Sequence, residues 1–333
     1  MNKKLLVVLS LVVSTALAAS ASAAGPESKY RPPRTKEGRP DLQGVWNFAS
    51  GVPLQRPAKL AGKKILTKEE FDAQRVALRN VLGLITKFAP VENVGFDWID
   101  NKLYVEDFRT SLITYPENGR LPALIDGVRR MPSIEDILAA LSDAGSSGPS
   151  PALASLLASL AGGTKDSHTD FNRSERCLDV MSVPVLPGFG DNYLEIIQSS
   201  DHVAIVMDYG RRVIALDSNA PASSKARTSM GTSKGRWEGD TLVVETRNFS
   251  ESTIGFAGAG NSRDRVVAER FTPTPAGLEY AATIVDPSTF KDRIELSFPM
   301  ARVDAHIYEA TCHEGNYSLA NTLSAARKED HVR

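Results

Sequence analysis

From Asn192 to its end the chain reads as one strand after another. Tyr193–Gln198, His202–Asp208, Arg212–Asp217, Thr241–Phe249, Arg265–Phe271, Leu278–Val285, Arg293–Phe298 and Ala305–Thr311 are all strand-length, rich in β-branched and aromatic residues, and bounded by turn residues. Glu238-Gly239-Asp240 and Asp286-Pro287-Ser288 are turns by their chemistry. Connections this short impose antiparallel pairing, because a parallel pair needs a crossover of about a dozen residues or more. About ten strands without crossover helices predict a mainly β fold. The expected form is an antiparallel β-barrel of the calycin-like kind or a strongly curved sheet, either of which leaves few exposed edges. A β-sandwich is the alternative.

Upstream, Asp41–Phe48, Phe96–Tyr104 and Phe108–Tyr115 add strand candidates, and Pro116-Glu117-Asn118-Gly119 is a turn. Thr67 and Glu70 have capping-box spacing; the helix they start carries Phe71, Leu78 and Leu82 on one face and is expected to end near Gly83. Two further amphipathic helices are read between 133 and 161. Ile134, Ile137, Leu138 and Leu141 stripe the first, and Leu153, Leu156, Leu157 and Leu160 the second. This helical hairpin is an insertion in a β domain spanning 41–333, preceded by an extended Pro/Lys/Arg-rich leader at 24–40. Each of its helices is too short to be stable alone, so it is expected to act as a lid over the barrel mouth or to dock in a homodimer.

The N-terminus sets the compartment. Lys3 and Lys4 precede an apolar run, Leu5–Val13, and small residues follow with A-x-A spacing up to Ala23. That is the pattern of a secretory signal peptide over residues 1–23, too short in its apolar part to anchor. The expected product is periplasmic or secreted, with no membrane anchor. With 39 basic and 40 acidic residues, there is no basic excess to argue for nucleic acid. The chain has two cysteines, and in an oxidising compartment Cys177 and Cys312 are expected to form a disulfide. A zinc site of Cys177, Cys312 and His313 is the other reading, without the paired spacing such sites use.

Three runs carry a resemblance: Pro40-Asp41-Leu42-Gln43-Gly44-Val45-Trp46, the stretch from Gly235 to Val244 (GRWEGDTLVV), and Cys312-His313-Glu314-Gly315-Asn316-Tyr317. On these the chain resembles a large, uncharacterised group of secreted bacterial proteins. It departs from that group at about 121–170, where the helical hairpin stands. The resemblance implies one integrated domain and brings no catalytic roles.

The chain has no G-x-S-x-G, H-E-x-x-H or P-loop, and the glycine-rich stretch Gly255–Gly260 lies between strands as a flexible loop rather than opening a helix. The expectation is therefore an enzyme without cofactor or metal, working through positioned acid–base groups. The densest polar cluster, His313, Glu314 and Tyr317, is one candidate catalytic group; its other reading is the satisfaction of backbone groups around the disulfide. Asp97 beside Trp98 is a second, an acid among aromatics whose pKa desolvation would raise; it reads equally as a surface turn. Arg109, read as mid-strand, binds either substrate or a structural carboxylate. Tyr193 and His202 sit on adjacent strands and are candidates to meet across a hairpin. Trp46 and Trp237 read as core, and Arg211-Arg212 as a solvated turn.

Together these features predict an exported acid–base lyase, of elimination or retro-aldol type, acting on a small apolar or aromatic molecule. The alternative is a non-catalytic carrier or sensor of such a ligand.

Overall fold

The computed structural model describes residues 30–88, 105–130, 167–168, 171, 176–177, 183–188, 192–208, 210–216, 227–251, 253, 255–309 and 311–330. The expected strand at 96–104, with Asp97 and Trp98, and the expected helical hairpin at 133–161 lie outside the described residues.

Ten strands make one sheet: β1 (Gly44–Asn47), β2 (Ile113–Tyr115), β3 (Tyr193–Gln198), β4 (His202–Met207), β5 (Gly210–Leu216), β6 (Thr232–Glu238), β7 (Thr241–Arg247), β8 (Val266–Thr274), β9 (Gly277–Val285) and β10 (Ile294–Val303). Their order is β1-β3-β4-β5-β6-β7-β8-β9-β10-β2, and β1 also pairs with β10, so every strand but β2 belongs to a closed barrel. The two short strands share one edge of β10: Ile113 of β2 lies opposite Leu296, and Val45 of β1 opposite Val303.

The expected all-antiparallel pairing is corrected at one seam. There β5 and β6 run parallel, through Ala215 opposite Lys234 and Leu216 opposite Gly235. Chain length allows it: residues 217–231 separate these strands, about the dozen or more that a parallel connection needs.

Two further expectations change. Ala305–Thr311 is not a strand, although its composition is β-rich. Strand β10 already ends at Val303 opposite Val45, and β1 begins only one residue away at Gly44; beyond it the ladder has no partner. The chain turns instead into a short helix α2 (Cys312–Gly315) and then α3 (Tyr317–Asp330). The first helix, α1 (Lys68–Phe88), runs past Gly83; a glycine inside a helix costs only ~1 kcal/mol. Its start is as read. Thr67 Oγ1 accepts from the Glu70 amide at 3.3 Å, and Glu70 Oε2 accepts from the Thr67 amide at 2.8 Å.

The alternation of each strand fills the barrel. Leu194 and Ile196, Val203 and Ile205, Leu242 and Val244, Ile284, Leu296 and Phe298 all point inward and are buried. Tyr280 packs at the centre, its ring centroid 5.1 Å from Phe271 and 4.9 Å from Phe298. Burying each such aliphatic or aromatic side chain contributes about 1.5–3 kcal/mol. Trp46 belongs to this core, donating from Nε1 to the Leu42 carbonyl at 2.9 Å, and Trp237 packs against it. The 255–260 stretch lies between strands as expected, but in place of a flexible loop it holds a packed 3-10 turn at Phe256–Gly258, with Phe256 and Ala259 buried. Cys177 and Cys312 are disulfide-bonded, tying α2 to a position 135 residues earlier. That bond removes the zinc reading. Among the described residues no helix is long and apolar enough to cross a membrane.

Candidate functional site

In β5 the alternation Arg212, Ile214, Leu216 faces inward, so the Arg211-Arg212 pair is not the solvated turn expected of it. Arg211 is exposed and Arg212 lies in the core. The same period-two rule turns Glu269 of β8 and Tyr280 of β9 inward. The three meet. Arg212 Nη1 donates to Glu269 Oε2 at 2.6 Å and Nη2 to Oε1 at 3.0 Å, with side chains 3% and 0% exposed. Tyr280 Oη donates to Glu269 Oε1 at 2.9 Å and accepts from the Val185 amide at 3.0 Å.

Burial opposes the charge on Arg212, but the Glu269 carboxylate and its hydrogen bonds outweigh it and hold the guanidinium above its ordinary pKa. Burial, and then the Glu269 charge, push the Tyr280 phenol well above its usual value, so it stays protonated and donates. A bidentate pair of this kind fixes geometry more than it adds stability.

Just outside this triad the barrel wall opens. Strand β5 pairs with β4 along its length but with β6 only at Ala215 and Leu216. Above that contact the strands part and leave a gap of about 400 Å³. His202, Arg211, Arg212, Val213 and Ala215 line one side, and Met230, Gly231, Thr232 and Ser233 the other. Two glycines shape the gap. Gly231 has φ +68°, and a Cβ there would come within 2.5 Å of the Arg247 carbonyl oxygen. At Gly235 a Cβ would sit 2.9 Å from both Ile214 Cγ2 and Leu216 Cδ2, so only glycine lets β5 close on β6 at the foot of the gap. Ser233 and Thr246 share a buried hydroxyl–hydroxyl bond of 2.9 Å behind it.

The sequence candidates are dispersed. His202 lines the gap, its Nδ1 3.0 Å from Asp201 Oδ1. Tyr193 does not meet it. With Gln198 opposite Val203 and Glu195 opposite Val206, Tyr193 and His202 stand at opposite ends of the β3–β4 pair. His313, Glu314 and Tyr317 are exposed on α2 and the start of α3, Tyr317 at 73%. What does lie beside the disulfide is Asn316, whose Nδ2 is 3.3 Å from Cys177 Sγ.

Arg109 is not mid-strand; it precedes β2 and makes an isolated bridge with Ile65. Its partners are those of a structural arginine: Asp107 Oδ2 at 2.8 Å, Ser297 Oγ at 2.5 Å and Glu279 Oε1 at 3.6 Å. Burial pushes the Glu279 carboxyl above its ordinary value, with Arg109 pulling the other way. Among the described residues no group of three or more His, Cys, Asp or Glu side chains is placed to hold a metal.

The sequence reading places Arg212 in a solvated turn and gives Glu269 and Tyr280 no role, although the strands carry a signal for all three. Val267-x-Glu269-x-Phe271 and Arg212-x-Ile214-x-Leu216 each carry a charge in the apolar phase of a strand, and the charges are opposite. No family model, curated protein or solved structure matches the chain.

Proposed function

We propose that this is an exported small-molecule-binding protein, a carrier or sensor, which takes its ligand at the β5–β6 seam rather than in the barrel interior. The observation that carries the reading is the gap itself, about 400 Å³ and lined by both apolar and polar groups. That volume lies within the ~300–1,000 Å³ typical of ligand sites. The interior, by contrast, is occupied by its own side chains. Val213, Ala215 and Met230 offer an apolar surface; Arg211, His202, Thr232 and Ser233 offer polar contacts. A small molecule with one apolar and one polar end fits that lining better than a wholly apolar one. The signal-peptide pattern and the disulfide support action in the periplasm or outside the cell.

Native mass spectrometry of the protein made in its own compartment tests this. Wild type should carry a small molecule that Ala215→Trp, which fills the gap, does not retain. Equal retention by the folded variant would place the ligand elsewhere.

One observation favours the acid–base lyase as a second reading. Glu279, half-buried with a raised pKa, stands with Asp107, Arg109 and Ser297 on the outer wall of β9 and β10, and raised carboxyls of this kind serve as general acids. Loss of turnover in Glu279→Gln, once a substrate is in hand, would support it over the carrier.

A further inference from the structure

The outer face of β3, β4 and β5 carries a pattern with a direction. Cross-strand register aligns Glu195, Val206 and Arg211 in one row, and Ile197, Ala204 and Val213 in the next. The second row is wholly apolar, and its two ends are open: Ile197 is 47% exposed and Val213 58%. The first row has an acid at one end, a base at the other and valine between. Among the described residues neither Glu195 nor Arg211 has an ion-pair partner. A row of this form complements itself when reversed.

We infer that this face binds a second copy of the chain, about a two-fold axis that runs along β4 between the two facing sheets. Rotation about that axis reverses each row. It sets Glu195 against Arg211 of the partner subunit, and Arg211 against Glu195 of the partner subunit. Val206 then meets its own copy, and Ile197 meets Val213 of the partner subunit. Both charges gain a partner, and the exposed apolar row is covered by an apolar row. Such an isologous contact closes after two chains.

The patch also sets the strength. Three strands at ~4.8 Å spacing span about 10 Å between the outer two, on a convex barrel wall. Stable interfaces bury roughly 800 Å² per partner, so this face gives a weak, concentration-dependent dimer. Arg211 and Val213 also line the seam, and the partner would cover its open side. The inference does not require the seam to hold a ligand, because association is read without one.

Sedimentation equilibrium of the mature protein at low salt, over a thousandfold range of concentration, tests it. The mass of wild type should climb from one chain toward two. Ile197→Asp, Glu195→Arg and Arg211→Glu, each checked for fold by circular dichroism, should weaken association at least tenfold. The double variant Glu195→Arg/Arg211→Glu should restore it to within a few fold, since the swapped charges again face each other. A monomer at every concentration overturns the inference. So does a dimer indifferent to Ile197→Asp, which would move the contact to another surface such as 133–161. Failure of the double variant to recover, with both single variants weakened and folded, overturns the two-fold register.

Discussion

Glu269 has two donors that depend on it, and removing it strands a charge. Glu269→Ala leaves the Arg212 guanidinium buried without a carboxylate and takes the acceptor from Tyr280. Breaking one side of a buried pair costs about 3–5 kcal/mol, and urea denaturation should show that loss. Replacing both partners removes the stranded charge, so Arg212→Met/Glu269→Leu should recover most of the stability; a double variant as weak as the single would contradict this. Glu279 behaves oppositely. Its folded pKa lies above the ordinary 4.5, chiefly through burial, so the native state binds its proton more tightly than the unfolded chain does. Between 4.5 and the raised value the native state holds more protons, and stability falls as pH rises through that window. Glu279→Gln removes this dependence. The stability of the variant relative to wild type should increase from pH 4 toward neutral, and a difference that is flat or reversed with pH would refute the assignment.

At the scale of elements, the legible parts of the fold were those where local chemistry and a neighbouring strand agree. The capping box at Thr67 and Glu70 forms as spaced, and seven of the eight strands read downstream of Asn192 appear, most with shifts of a few residues at their ends. Ala305–Thr311 failed because strand propensity needs a ladder partner, and β1 has none left to give beyond Gly44. Thr232–Glu238 shows no apolar alternation, because its inward positions are the small Ser233 and Gly235 while Lys234 and Arg236 stand between and beside them. Those residues also hide the parallel pairing, and with it the seam. Among the described candidates, only His202 lines the gap. His313 and its neighbours drew attention by density of polar groups, which is a property of exposed helix starts as well. Gly235 links element to site. An alanine there meets Ile214 and Leu216 at 2.9 Å, and overpacking of this kind costs about 1–3 kcal/mol. Gly235→Ala should therefore lower the unfolding midpoint and push β5 from β6, whereas an unchanged midpoint would mean that the contact relaxes freely.

At the largest scale the described strands form a barrel closed through β1 and β10, and among them β5 and β6 are the parallel neighbours, joined at only two opposed pairs. Closure removes the edges that make open sheets aggregate, and the short β5–β6 ladder is where we propose that a ligand enters the wall. The disulfide from Cys177 to Cys312 fastens α2 to the chain ahead of the barrel's long run of strands. On this account the core carries stability, with Arg212, Glu269 and Tyr280 fixing its register, and the seam carries binding. The most direct measurement is an amide chemical-shift map of the protein against the molecule that copurifies with it. The account predicts saturable shifts clustered at His202, residues 211–215 and residues 230–233, and their loss in Ala215→Trp. Shifts centred instead on Glu279 and Arg109, or on α2 and α3, would contradict it.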